Sequence, residues 1–169
     1  KQFQAKIYKA EKIDTHGGSL RIYIKKGKKA KIEISVKKIL QEENLYGIKN
    51  YKTYQDFAKK VYKIRDNVRR NINNLKEKNS SIVGYGSPAK ATTALNFFGI
   101  SEEIDFIIED NKLKQGKFLP GMKIPIKSKE SLKGKTDYLL VLAWNFFNEI
   151  KNSNENLADK FVSIKDLEI

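Results

Sequence analysis

One stretch, Ser81–Gly99 (SIVGYGSPAKATTALNFFG), constrains the fold of this 169-residue chain more than any other. The apolar pair Ile82-Val83 predicts a buried strand, Gly84–Ala89 predicts a sharp turn, and Lys90–Phe98 has helical spacing, with Pro88 expected in the first helical turn. This order is typical of phosphate sites, because glycines let the backbone approach the ligand and the helix N-terminus offers free N–H groups. A tight structural turn has the same pattern. The residues alone leave both interpretations open.

The residues that follow predict the rest of a sheet. Three continuous apolar runs and one shorter extended piece are expected as strands: Ile104–Ile108, Tyr138–Leu142, Phe161–Ile164 and the piece Lys123–Ile126. Between them we expect a polar loop at Lys112–Lys123, a brief helix at Ser128–Leu132 and a helix that begins at Trp144 and continues to Lys151. Alternating strands and helices predict an α/β fold: a Rossmann-like, doubly wound, mostly parallel sheet with helices on both faces.

The residues before Ser81 predict an antiparallel hairpin and two helices. Phe3–Ile13 and Ser19–Ile24 alternate apolar and polar residues, and the Gly-Gly pair between them is typical of a hairpin turn. Because a lone hairpin is marginal in water, we expect it to pack against the following domain or against residues upstream. Helices are predicted at Ser35–Tyr46, which stops at Gly47, and at about Thr53–Lys78.

The long helix carries an apolar stripe at helical spacing, which we expect to be core: Phe57, Ala58, Val61, Tyr62, Ile64, Val68, Ile72 and Leu75. The predicted domains are therefore a terminal hairpin of a truncated domain at 1–25, a helical connector at 26–80 and a Rossmann-like domain at 81–169.

The composition limits which classes of partner and which cellular location we expect. The formal net charge is +14, but the lysines are spread along the chain, so we predict no nucleic-acid partner; a basic module that binds DNA or RNA stays a minor alternative. With no cysteine and one histidine, we predict neither a disulfide nor a metal site. No apolar run approaches about 20 residues and no signal-peptide pattern is present, so we expect no membrane contact and a cytoplasmic location. Because the sequence begins at Lys1 rather than Met, we expect a fragment of a longer protein.

Three segments are predicted at the carboxyl ends of strands, where open α/β sheets bind ligands: the glycine turn, Glu109-Asp110 and Ala143–Asn145. Glu109 follows Gly84 by about 25 positions, which is typical of the acid that binds the ribose of a dinucleotide. NAD, S-adenosylmethionine (SAM) and a nucleotide-linked sugar all fit this pattern. No catalytic set of side chains can be assembled from the residues.

Five motifs occur in an order that resembles a known family. They are Thr15–Arg21 (THGGSLR), Gly84–Lys90 (GYGSPAK), Lys114–Gly116 (KQG), Leu119–Gly121 with Ile124–Ile126, and Trp144-Asn145 with Glu149-Ile150. Together they resemble the C-terminal domain of SAM-dependent sugar C-methyltransferases over nearly the whole chain. The resemblance implies a SAM-binding Rossmann domain upstream, whose last two strands form the hairpin. It also implies that this domain helps to bind a nucleotide-linked deoxysugar, which is methylated at a ring carbon beside a keto group.

The chain departs from the family pattern at Ser87, Glu109 and Ala143, where the family usually has Ala, Asp and Pro. The family's zinc-binding cysteines, SAM-binding strands and catalytic tyrosine, histidine and glutamate belong to N-terminal parts that this sequence does not contain. We therefore expect the full-length protein to use SAM, and the chain alone to bind none and to transfer no methyl group.

Pattern and resemblance together predict one set of substrate-binding residues and no catalytic residue. The set is His16, Gly84, Tyr85, Gly86, Ser87, Pro88, Lys90, Thr92, Glu109, Lys114, Trp144 and Asn145. The predicted ligand is a nucleotide-linked sugar, and the predicted partner is the N-terminal SAM-binding domain of the same protein. An NAD-binding Rossmann-type regulatory or redox domain, with Glu109 on the ribose, is the alternative.

Overall fold

A computed structural model describes residues 3–27 and 31–168, apart from the side chain of His16. The seven strands are β1 Ala5–Ile13, β2 Ser19–Lys26, β3 Ile82–Tyr85, β4 Ile107–Ile108, β5 Ile126–Lys127, β6 Thr136–Val141 and β7 Ala158–Ser163. The α-helices are α1 Ile34–Tyr46, α2 Tyr51–Glu77, α3 Ala89–Phe98 and α4 Phe147–Ser153. The described residues form two compact units, 1–59 and 60–169, and the boundary falls within α2. The domain limits at residues 25 and 80 stay predictions.

The second unit is built on a five-stranded sheet in the order β5-β4-β3-β6-β7, and every neighbouring pair is parallel. The chain leaves β3 toward β4 and β5, and then returns to the other side of β3 as β6. The direction of winding therefore reverses between β3 and β6, which is the switch point where such sheets bind ligands. The Rossmann-like α/β class predicted from the sequence is confirmed.

Side chains from the two faces of this sheet form two separate cores. On one face, α3 and the buried half of α2 pack against alternate residues of β3 and β6, such as Ile82 and Leu140. On the other face, Val83, Leu139 and Ile108 pack with Ile150 of α4 and with Leu132. Both faces are thus covered, as the continuous apolar strands require.

Several boundaries differ from the predicted ones. β4 begins at Ile107 rather than Ile104, because the Asp105 carboxylate accepts the Ile82 N–H (3.1 Å) that a longer ladder would use. Pro88 is the N-cap of α3, with an extended backbone, and the helix begins one residue later. The segment after β6 starts as a 3-10 turn, Trp144–Phe146, before α4 begins. A 3-10 turn, Lys129–Ser131, replaces the brief helix predicted at Ser128–Leu132.

The first unit confirms the hairpin. β1 and β2 pair antiparallel with an irregularity between Ile7 and Lys9, and the turn contains a 3-10 segment, Thr15–Gly17. Helix α1 packs on this hairpin: the Ala10 N–H donates to Ser35 Oγ (3.3 Å), and Lys12 forms an ion pair with Glu42. Gly47 ends α1, as predicted, and adopts the left-handed conformation. Three alternate residues of β2 remain about half exposed: Leu20, Ile22 and Ile24.

The apolar stripe of α2 is only partly core. Val68 and Ile72 are buried, and Ile64 and Leu75 pack against the same core. In contrast, Phe57 is 60% exposed and Tyr62 is 52% exposed, so the prediction that the whole stripe is buried is wrong. No helix in the described parts of the chain is long and apolar enough to cross a membrane.

Candidate functional site

Two glycines are held by close packing: Gly84, which the structure places within β3, and Gly86, which lies in the turn after it. A Cβ at Gly84 would lie 2.9 Å from Ile107 Cγ1 and 3.1 Å from Leu142 Cδ1, so the core of the sheet requires a glycine there. Gly86 has a φ of +83°, and a Cβ there would lie 3.1 Å from the Cβ of Ala143. The turn therefore lies directly against the end of β6, at the switch point of the sheet.

Glu109, which follows β4, braces this turn. Its Oε2 accepts hydrogen bonds from the Ser87 N–H (2.9 Å) and the Ser87 hydroxyl (2.5 Å), and its Oε1 accepts one from the Asn111 N–H (3.1 Å). The Lys114 ammonium lies 3.4 Å from the same Oε2 and donates to the Ser87 carbonyl oxygen (3.0 Å). The carboxylate and the lysine thus tie the turn to the loop after β4.

The charge on Glu109 is stabilised by these contacts. Burial raises the pKa of this carboxyl, but the hydrogen bonds from Ser87 and Asn111 and the charge of Lys114 lower it, and the net result is a pKa below the usual value. Glu109 is therefore ionised at neutral pH although only 12% of its side chain is exposed. Its oxygens already accept four donors within the domain.

The N-terminus of α3 has two N–H groups left for a ligand among the described residues. The N–H groups of Ala91 and Thr92 already donate to the Pro88 carbonyl oxygen (2.9 and 3.3 Å), which leaves those of Ala89 and Lys90. The Lys90 ammonium lies 4.3 Å from the centre of the Trp144 ring, which links α3 to the residues after β6. Asn145 is exposed next to Trp144.

Tyr85 has a different environment from the rest of the predicted set. Its ring packs in the core on the face opposite α3, and its hydroxyl donates to Asp110 Oδ2 (2.8 Å). The Lys129 ammonium lies 3.2 Å from Asp110 Oδ1 and 5.4 Å from the centre of the Tyr85 ring. Burial raises the pKa of Tyr85; Lys129 lowers it and the bond to Asp110 raises it, and the net result is a pKa above the usual value, so the phenol stays neutral. These contacts anchor Tyr85 as part of the fold.

A cleft of about 550 Å³ opens beside the turn, between the start of α3 and the loop after β4. Part of its lining was predicted from the sequence: Ser87, Thr92 and Lys114. The rest of the lining was not predicted, and it includes Lys117, Phe118 and Pro120. The run Phe118-Leu119-Pro120 within an otherwise polar loop was the available signal.

The predicted residues do not all lie together. Ser87, Thr92 and Lys114 line the cleft. Lys90 and Trp144 lie at the switch point, and Glu109 accepts the hydrogen bonds that hold the glycine turn. His16 belongs to the first unit, in the 3-10 turn of the hairpin, and its side chain lies outside the described part of the structure. A role for any of these residues in binding stays a prediction.

The sheet order and the glycine turn at the switch point define the class: a Rossmann-like domain, in which the switch point is where sheets of this kind bind ligands. The C-methyltransferase C-terminal domain family matches residues 14–163. The chain is also similar to the C-methyltransferase NovU of Streptomyces niveus, with 33% identity over 149 residues, which are 86% of this chain and 36% of that relative. This chain belongs to the C-methyltransferase C-terminal domain family, which confirms the resemblance found in the ordered motifs. It spans about a third of the length of the relative it matches.

Proposed function

We propose that this chain is the nucleotide-sugar-binding C-terminal portion of a SAM-dependent C-methyltransferase in deoxysugar biosynthesis. The observation that carries the proposal is the glycine turn at the switch point, with two first-turn N–H groups of α3 and Lys90 beside it. Free N–H groups at a helix N-terminus and a nearby ammonium are suited to a diphosphate, since both stabilise negative charge.

The proposed partner is an N-terminal SAM-binding domain of the same protein, to which the hairpin would belong. The half-exposed row Leu20, Ile22 and Ile24 supports this, because a two-stranded sheet with one open apolar face is marginal in water. In this arrangement SAM binds upstream, and residues 60–169 hold the acceptor.

The test is a titration of the 169-residue chain with thymidine diphosphate, in which NMR measures the chemical shifts of the backbone amides. We expect the largest shifts between Gly84 and Thr92, and we expect Lys90→Ala to weaken binding at low salt without unfolding the domain. Lys133→Ala, an exposed lysine after the 3-10 turn Lys129–Ser131, is the matched control. A folded sample whose amide resonances in the glycine turn do not shift would contradict the proposal.

The NAD alternative has weaker support. It assigns Glu109 to the ribose, yet the oxygens of that carboxylate already accept hydrogen bonds from Ser87, Asn111 and Lys114. Calorimetry with NAD, SAM and thymidine diphosphate compares the candidates directly. Binding of NAD tenfold tighter than the other two, about 1.4 kcal/mol, would favour the alternative.

A further inference from the structure

We infer that the cleft beside the glycine turn holds the nucleobase of the nucleotide, against the ring of Phe118. The inference rests on the proposed function, since it names the place of one part of the proposed ligand. The volume of the cleft, about 550 Å³, lies within the range of small-molecule sites. The inference assigns roles to Phe118 and Lys117, neither of which belongs to the set predicted from the sequence.

The lining of the cleft combines polar and apolar groups. Ser87, Thr92 and Lys114 contribute polar groups to the lining. Phe118, Leu119, Pro120 and Ile126 contribute apolar surface. A ligand that fits this lining has a polar, anionic group joined to a flat apolar ring, and a nucleoside diphosphate has this composition.

Backbone hydrogen bonds fix the loop that carries Phe118, so the apolar part of the cleft is formed without a contribution from the Phe118 ring. The Leu119 N–H donates to the Ile124 carbonyl oxygen (2.9 Å), and the Ile126 N–H donates to the Lys117 carbonyl oxygen (2.8 Å). Leu119 is 1% exposed and anchors the loop in the core, and Asn96 of α3 donates to the Pro120 carbonyl oxygen (3.0 Å). The loop is therefore fixed on both sides of Phe118.

Phe118 itself is not used by this packing. Its side chain is 63% exposed although its neighbour Leu119 is buried. An exposed aromatic ring at the rim of an apolar cleft offers a stacking surface to a base, and any base has a face that can stack on it. Lys117, which is exposed and has no acidic partner within 4 Å among the described residues, adds a second cation at the same rim.

The experiment compares three probes on the 169-residue chain by calorimetry: thymidine diphosphate, inorganic pyrophosphate and thymidine diphosphate linked to a sugar. We expect Phe118→Ala to weaken the binding of thymidine diphosphate about tenfold, which is about 1.4 kcal/mol. We expect the affinity for pyrophosphate to change by no more than about twofold. Phe118→Tyr keeps the ring and is expected to keep the affinity. Phe57→Ala is the matched control, because Phe57 is 60% exposed and lies in the first unit.

The outcomes separate this inference from the proposed function. If thymidine diphosphate and pyrophosphate bind with equal affinity, or if Phe118→Ala changes neither, the anion site stands and the base does not lie in the cleft. If Phe118→Ala weakens only the sugar-linked nucleotide, the cleft holds the sugar and the inference is overturned. If neither anion binds the wild-type chain, the proposed function fails and the inference fails with it.

Discussion

Among single residues, Gly86 in the glycine turn is a position at which a side chain is unfavourable on two separate grounds. Its φ of +83° is unfavourable for any residue with a Cβ, and the added atom would lie 3.1 Å from Ala143. We expect Gly86→Val to destabilise the domain by about 1–3 kcal/mol, and to abolish binding of thymidine diphosphate. Urea unfolding followed by the fluorescence of Trp144, the chain's one tryptophan, measures the first effect, and calorimetry measures the second.

Gly134→Val is the control for this change. Gly134 has a φ of +85° but would place its Cβ in open space, so it shares the backbone strain without the contact. We expect it to lower stability and to leave binding unchanged. Equal binding by wild type and Gly86→Val would show that the turn is purely structural, which is the other interpretation of the pattern.

Glu109 makes stability depend on pH at the site. Its pKa is lowered in the fold, so its contribution is present above the unfolded pKa, about 4.5, and is lost as the pH falls through the folded pKa. We expect Glu109→Gln to destabilise the domain by about 1–3 kcal/mol near pH 7. We expect this difference from wild type to shrink toward pH 3. Urea unfolding at both pH values measures it, and the exposed Glu102→Gln is the control. A difference that stays constant between the two pH values would contradict the assignment.

Sequence spacing predicted the positions of site residues but not their contacts. Spacing from the glycine turn predicted an acid at the end of β4, and Glu109 lies there. Spacing carries no information on which donors reach a side chain, so the bonds from Ser87 and Lys114 appear only in the structure. Tyr85 illustrates the same limit, because its position after Gly84 did not indicate that its ring packs on the far face of the sheet.

At the level of secondary-structure elements, α2 is the clearest case of a correct element with a partly wrong environment. Periodicity predicts the helix and its stripe, but burial depends on where a partner surface ends. The core of the second unit covers Val68 and Ile72 and leaves Tyr62 half exposed. The short strands have a similar cause: local apolar runs do not indicate where a side chain such as Asp105 replaces a ladder hydrogen bond.

The uneven burial of α2 makes a quantitative prediction. We expect Ile72→Ala to cost about 2–5 kcal/mol, because Ile72 is 1% exposed and its loss leaves a cavity in the core. Phe57→Ala is expected to change stability by no more than about 0.5 kcal/mol, since that ring is 60% exposed. Urea unfolding followed by circular dichroism measures both. Similar losses for the two variants would show that the stripe is covered along its whole length.

For the whole molecule, the sheet was predictable and the cleft was not. Continuous apolar strands alternating with helices permit few topologies, because crossovers are right-handed, and the observed sheet is one of them. The cleft depends on a loop between β4 and β5 that returns on itself at Gly121, where an added Cβ would collide with the Asn96 side chain. Such a contact between a loop and a distant helix turn has no periodic signature. Lys117 and Phe118 were therefore missed.

The last prediction concerns catalytic competence. Methyl transfer requires the sulfonium donor, the acceptor carbon and a proton-accepting group to be held together in near-attack geometry. A donor site of the Rossmann type requires its own strand, glycine turn and helix, and the one that the described residues provide after β3 is proposed here to bind the acceptor. We therefore expect the purified 169-residue chain to bind thymidine diphosphate and to produce no S-adenosylhomocysteine from SAM and a keto-deoxysugar nucleotide. Chromatographic detection of that product over several hours measures it, with binding of thymidine diphosphate in the same sample as the control for a folded site. Turnover that disappears in Gly86→Val would show that this turn serves the donor, and would contradict the assignment of the acceptor to it.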